Sequence, residues 1–212
     1  MRRRLGTVLI AAGLALAGWT LVTYLWQEPI TAALTWHSQR QLGEQLHARM
    51  THARLEPVGR SVRAAARAYR LGSHDGEAMG RIVIPRIGLN AVLVEGTSEA
   101  DLANGPGIYA GDYLPGEGRL VYVAGHRTTY GAPFSQLDLL HSGDSISIVL
   151  PYGSFVYRVT RHRIVAATAV SVLRSHRREQ LILQTCHPRF SASHRYLVYA
   201  EPFRISPREQ RR

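Results

Sequence analysis

Lysine is absent from this chain. All 26 basic side chains among its 212 residues are Arg, set against 15 acidic ones, for a net charge of +11. A basic excess suits nucleic acid, an anionic membrane surface or an anionic polymer. No finger spacing, recognition helix or aromatic RNA motif accompanies the charge, so nucleic acid is not expected as a partner. An all-Arg set is also what a skewed genome base composition produces. Cysteine is nearly absent too. The single Cys186 cannot close an internal disulfide, so the fold must hold by burial alone. One Cys with scattered His lacks metal-ligand spacing, and the acids from Glu95 to Glu201 stand singly, with no cluster suited to a hard cation. No metal and no other cofactor is expected. What is present is ordinary for a globular core: 45% hydrophobic and 19% charged residues, which excludes a disordered chain. The length holds one medium domain plus accessories.

The N-terminus sets the topology. Met1-Arg2-Arg3-Arg4 precedes 22 uncharged residues, Leu5 to Trp26. At about 1.5 Å per residue such a helix crosses a ~30 Å hydrocarbon layer. Trp19, Tyr24 and Trp26 lie toward its far end, where amphipathic rings favour the headgroup level. Three Arg stand before the span, whereas the next twenty residues hold only Glu28, Arg40 and Glu44 as charges. The positive-inside rule then puts the N-terminus in the cytoplasm and the remainder outside, on a single-pass membrane anchor. A cleaved signal peptide is the competing reading, but the apolar run exceeds the usual 7–15 residues and no clear small-x-small site precedes a polar stretch.

Residues 27–78 read as a stalk. Leu42, Leu46 and Met50 form a thin apolar stripe at four-residue intervals, Pro57 and Gly59 interrupt it, and Ser61–Arg70 is an Arg/Ala helix former. A solvated, partly helical spacer without chemistry is expected there, with Gly72–Gly76 as a loop. From Gly80 the texture changes to short strands: Arg81–Ile84, Ala91–Val94, Leu120–Ala124, Ser145–Val149, Phe155–Thr160, Arg163–Ala166, Leu181–Thr185 and Tyr196–Glu201. Pro151-Tyr152-Gly153 marks a hairpin, Ser98–Asp101 a capping box for a short helix, and Pro133 the first turn of another over Pro133–Leu140. Eight short strands with two helical inserts predict an all-β barrel or sandwich. The division expected is 1–4 cytoplasmic, 5–26 anchor, 27–78 stalk, 79–206 β-domain and 207–212 basic tail.

Three polar residues fall at strand ends. Cys186 closes Leu181-Ile182-Leu183-Gln184-Thr185-Cys186, and Pro188 two residues on cannot extend a ladder. His126 ends Val121–His126 behind Gly125, which admits a close neighbour or substrate. Arg195 opens the last strand. A thiolate, an imidazolium and a guanidinium suit acyl transfer: attack on a carbonyl, protonation of the leaving amine, and stabilisation of the oxyanion. With unperturbed pKa values of about 8.5 and 6.5, thiolate is ~3% and imidazolium ~24% at pH 7, a joint population under ~1%. Such a pair must couple closely or work from a minority form. Taken singly, Cys186 reads as a buried small hydrophobe, His126 as a structural histidine and Arg195 as a surface Arg. His187 would point to the face opposite Cys186.

The residues stand together in a known pattern. Gln184-Thr185-Cys186 resembles the sortase signature, in which Thr precedes the nucleophile. The run Gly125-His126-Arg127-Thr128-Thr129-Tyr130-Gly131-Ala132-Pro133-Phe134 is similar to the histidine motif of class E sortases. Cys186-His187-Pro188-Arg189-Phe190-Ser191-Ala192 followed by Arg195 is likewise similar to that class, and Gly80–Leu89 and Gly105–Tyr109 match more weakly. The resemblance covers roughly 79–203, with its three motifs in the family's order. It implies an eight-stranded β-barrel, with Cys186 as nucleophile, His126 as general acid/base and Arg195 at the oxyanion, while Tyr130 and Thr185 lie near the substrate. It further implies surface proteins bearing a C-terminal sorting signal as donors, cut after Thr through a thioacyl intermediate, and a peptidoglycan-precursor amine as acceptor. Class E members are associated with Leu-Ala-x-Thr-Gly in place of Leu-Pro-x-Thr-Gly. Gln184 stands where Thr is expected and Ser193-His194 where Arg-Gln is usual, departures that touch substrate preference. Competing readings are a membrane-anchored cysteine protease, an L,D-transpeptidase (whose Ser-His-Gly-Cys run is absent) and a non-enzymatic wall-binding protein.

Overall fold

A computed structural model describes residues 2–25, 29–55, 61–109, 113–174 and 178–207. Trp26 and Glu28, the Pro57/Gly59 interruption, Asp112 and the tail from Arg208 lie outside the described residues, as does the side chain of Tyr24. Helix α1 covers Arg2–Leu25, and none of its Leu5–Val22 stretch, of mean hydropathy 2.0, is buried among the described residues. It is long and apolar enough to cross a membrane.

Eight strands close a barrel: β1 (Ala78–Ile84), β2 (Leu89–Glu95), β3 (Gly107–Ile108), β4 (Leu120–Ala124), β5 (Ser145–Leu150), β6 (Gly153–Ala166), β7 (Gln180–His187) and β8 (His194–Pro207). Their order around it is β1-β2-β3-β4-β7-β8-β6-β5, with β5 returning to β1 through Ile82 beside Ile148. The barrel fold expected from sequence is therefore present, but its strands are divided differently. The two-residue β3 carries no alternation by which to find it. Phe155–Thr160 and Arg163–Ala166 are one strand, β6, whose pairing with β8 shifts register between Val159 and Arg161 and so breaks the period-two pattern. Alternate residues fill the interior: Val121 and Val123, Leu181 and Leu183, and Val198 and Ala200 all belong to one buried core with Phe134 and Tyr157.

The short helix α4 (Glu99–Leu102) has the expected capping box: the Asp101 N–H donates to Ser98 Oγ at 3.2 Å and the Ser98 N–H to Asp101 Oδ2 at 3.0 Å. Pro133–Leu140 is not an α-helix. It forms turns and a single 3-10 turn at Leu137–Leu139, a tighter winding that stacks residues three apart and buries Phe134, Leu137 and Leu140 together.

The spacer is not free in solvent. Helix α2 (Pro29–Leu55) lays Leu42, Leu46 and Met50 on Ala78, Val92 and Val94 of β1 and β2. Helix α3 (Val62–Leu71), capped by Ser61, packs Val62, Ala66 and Tyr69 against the barrel core and pairs Arg70 with Glu117 at 2.8 Å. Thus helices follow α1, two of which are built onto the barrel wall.

Candidate functional site

The site is set by strand register. β4 and β7 run parallel with Ala124 beside Gln184, and the Gly125 N–H donates to the Gln184 carbonyl at 3.0 Å. His126 and Cys186 therefore leave the barrel at the same rim on neighbouring strands. On the other side of β7, Cys186 is the register partner of Arg195 in β8, and residues opposite one another in paired strands share a face. β7 stops at His187, before Pro188.

Cys186 is half-buried. His126 is partly buried, and removal from water pushes its pKa below the ordinary 6.5, with the charge of Glu99 as a smaller opposing influence. Its Nε2 is buried with no hydrogen-bond partner among the described residues. Arg195 turns Nη1 back to the Ala192 and His194 carbonyls at 2.7 and 3.1 Å. Among the described residues its other guanidinium nitrogens hold no hydrogen bond.

Thr185, expected near the substrate, faces the opposite side of β7 from Cys186. Its side chain is fully buried and its hydroxyl donates to the Gly125 carbonyl at 2.8 Å. Side chains alternate along a strand, so a residue next to Cys186 must face the barrel interior. What Thr185 does is tie the end of β7 to the residue before His126. Gly125 is required for a different contact: a Cβ there would lie 2.6 Å from Phe134 Cδ2. The Phe134 N–H in turn donates to the His126 carbonyl at 3.0 Å, closing the loop that carries the histidine.

Tyr130 lies within that loop, its ring centroid 4.9 Å from that of His126. It holds a positive φ of 52°, as does Ala132 at 43°, a conformation costly for residues with a Cβ. The Tyr130 N–H donates to Thr31 Oγ1 of α2 at 2.9 Å. A helix read as spacer therefore braces the histidine loop.

One buried residue escaped the sequence reading. Arg127, 5% exposed, donates from Nη1 to the Cys186 carbonyl at 3.3 Å and meets His187 Nδ1 at 3.0 Å, while Nη2 pairs with Asp138 at 3.1 Å. Arg127 thus joins the residue after His126 to the backbone of Cys186. In a chain with so many Arg, nothing but its place beside His126 could have singled it out. Among the described residues no three His, Cys, Asp or Glu side chains converge as a metal site.

A half-buried thiol, an unpartnered imidazole nitrogen and a guanidinium with spare donors on one rim form a set capable of acyl transfer. The comparisons point the same way. The Sortase domain family matches residues 82–203. Sortase D of Bacillus subtilis (strain 168) is 37% identical over 131 residues, which cover 59% of this chain and 64% of that protein, less than two thirds of its length. The crystal structure of Sortase E1 from Streptomyces coelicolor with tripeptide in the active site superposes with a TM-score of 0.58 at 25% identity, covering 62% of this chain and 91% of that one. Sortase E from Streptomyces avermitilis gives 0.57 at 31% identity, covering 63% and 93%.

Proposed function

The chain belongs to the sortase family, and from that premise we propose that it is a membrane-anchored cysteine transpeptidase, with Cys186 as nucleophile, His126 as general acid and base, and Arg195 at the oxyanion. The observation that carries this reading is the rim itself: Cys186 directly opposite Arg195 across β7–β8, and His126 at the matching end of β4 with Nε2 unpartnered.

The reaction follows from those roles. The Cys186 thiolate adds to the carbonyl of the signal's Thr, and the oxyanion takes hydrogen bonds from the Arg195 donors not held by Ala192 and His194. As the C–N bond breaks, His126 gives its proton to the departing amine and a thioester remains. An acceptor amine then attacks the thioester, loses a proton to His126, and leaves with the acyl group as the thiolate is restored. Because burial disfavours charged His126, the thiolate–imidazolium pair depends on mutual attraction at close range.

The finer parts of the reading are a C-terminal signal of the Leu-Ala-x-Thr-Gly or Leu-Pro-x-Thr-Gly type, cleavage after Thr, a peptidoglycan-precursor amine as acceptor, and class E as the subgroup. The histidine and cysteine motifs and the sortase E structures support the subgroup, although the Bacillus subtilis relative is a Sortase D. Helix α1 would be the single-pass anchor, with its Arg-flanked start in the cytoplasm and the barrel outside. The test is to supply a signal peptide together with a small amine. A ligated product is expected. Hydrolysis with every amine offered would make the protein a cysteine protease, and no turnover of any signal peptide would overturn the reading.

A further inference from the structure

The outer face of the barrel carries a ladder of side chains that starts at Cys186 and ends at a cluster of arginines. Register puts Val165, Arg195 and Cys186 in one row, Arg163, Leu197 and Gln184 in the next, and Arg161, Tyr199 and Ile182 in the third. β4 adds Ala124 to the second row and Tyr122 to the third. Leu120, Ile182, Leu197 and Tyr199 form an apolar floor separate from the barrel interior. At its far end lies a cavity of about 110 Å³, floored by Leu120, Ile182 and Tyr199 and rimmed by Arg161, Arg163 and Arg174. The Arg161 guanidinium lies 3.8 Å from the centre of the Tyr199 ring, which is 5% exposed.

These three arginines differ from Arg49, Arg70 and Arg127, each of which has a carboxylate partner. No carboxylate lines the cavity, and none of the three forms an ion pair among the described residues. Three like charges around a small apolar-floored cavity repel one another and raise the local concentration of anions. Bidentate geometry suits a guanidinium to a carboxylate.

The distance from Cys186 sets where along a bound donor chain the anion would lie. Ile182 is four residues from Cys186 along β7, about 13 Å at 3.3 Å per residue. In the reaction proposed above, on which this inference rests, the departing amine lies against His126 at the rim. The acyl half of the substrate is then the half that runs down the face, and an extended chain covers the distance in four residues. We infer that the cavity is an anion-accepting subsite for the donor protein, which takes the carboxylate of an Asp or Glu about four residues before the Thr acylated on Cys186.

The test uses the full-length, detergent-solubilised protein, a small amine acceptor, and three donor peptides that differ only at the residue before the signal's Leu: Glu, Gln or Lys. The expected order of kcat/KM is Glu over Gln over Lys, with a Glu-to-Gln ratio of roughly two to ten that shrinks in high salt. In Arg161→Gln and Arg163→Gln the ratio should fall toward one. Equal kcat/KM for the Glu and Gln peptides in the wild type, with turnover intact, would overturn the subsite and leave the transpeptidase reading standing. Turnover of none of the three would instead remove the reading it rests on. Because the wild-type comparison needs no variant, misfolding of a variant cannot rescue the idea. A parallel assay holds the donor fixed and varies a phosphate-bearing amine acceptor: if the substitutions change only the KM of that acceptor, the cavity serves the acceptor and the donor assignment is wrong.

Discussion

Tyr130 is held from two sides. Its backbone is bent to a positive φ and bonded to Thr31, and its ring lies beside His126. A side chain placed next to His126 by its own backbone can read a substrate residue that comes near it. A Pro at the second signal position has no N–H, whereas an Ala there presents one that needs an acceptor once buried. If the Tyr130 hydroxyl accepts it, the bond is worth about 0.5–1.5 kcal/mol, roughly a two- to twelvefold preference. The Ala peptide should therefore be processed faster than the Pro peptide, and Tyr130→Phe should narrow the gap chiefly by slowing the Ala peptide. Measuring kcat/KM for both peptides with both proteins decides it. An undiminished gap in the Phe variant would leave Tyr130 as a packed rim residue. The period-two rule that puts His187 on the far side of β7 from Cys186 applies equally to Thr185, so its burial was legible from the strand alone.

Among the elements, α2 departs furthest from what its sequence announced. Leu42, Leu46 and Met50 are visible as an apolar stripe, and they pack on the barrel. The stripe continues toward the N-terminus as Thr31, Thr35 and Gln39 at helical spacing, and polar residues do not register in a hydrophobic periodicity. Each of them makes a tertiary contact. Thr31 accepts the Tyr130 N–H, Thr35 donates to the Ala103 carbonyl at 2.8 Å, and the Gln39 amide accepts the Val92 N–H at 2.7 Å while donating to the Val92 carbonyl at 3.0 Å. Gln39 thereby supplies the pairing that the short β3, which meets β2 only at Val94 and Glu95, does not. The fit is tight enough that a Cβ on Gly105 would lie 2.2 Å from the Gln39 Nε2. Gln39→Ala leaves the N–H and C=O of a buried strand residue unpaired, each at a cost of about 1–3 kcal/mol. Urea unfolding of the solubilised protein should show a loss of roughly 2–6 kcal/mol. A loss under about 0.5 kcal/mol, the size expected of an ordinary surface change, would mean that water replaces the amide at the β2 edge. The long alternating strands and the capping box at Ser98 were legible because local pattern and tertiary structure agree there. β3 and the histidine loop were not, since both are defined by what closes over them.

On the scale of the whole molecule, the barrel turns residues distant in sequence into neighbours. Two parallel strands, β4 and β7, end together, and an antiparallel return brings β8 back beside the cysteine. Below that rim the outer sheet face leads to the arginine-lined cavity, and beside it α2 connects the apolar N-terminal helix's side of the chain to the histidine loop. All of this serves one claim, that an acyl group passes through Cys186. The most direct measurement is intact-mass spectrometry of the protein mixed with a signal peptide and no amine. An adduct with the mass of the peptide's acyl half is expected, mapped to Cys186, discharged when an amine is added, and absent from Cys186→Ala. Since the chain holds no second thiol, peptide turnover by Cys186→Ala above an enzyme-free control, or an adduct on any other residue, would contradict it.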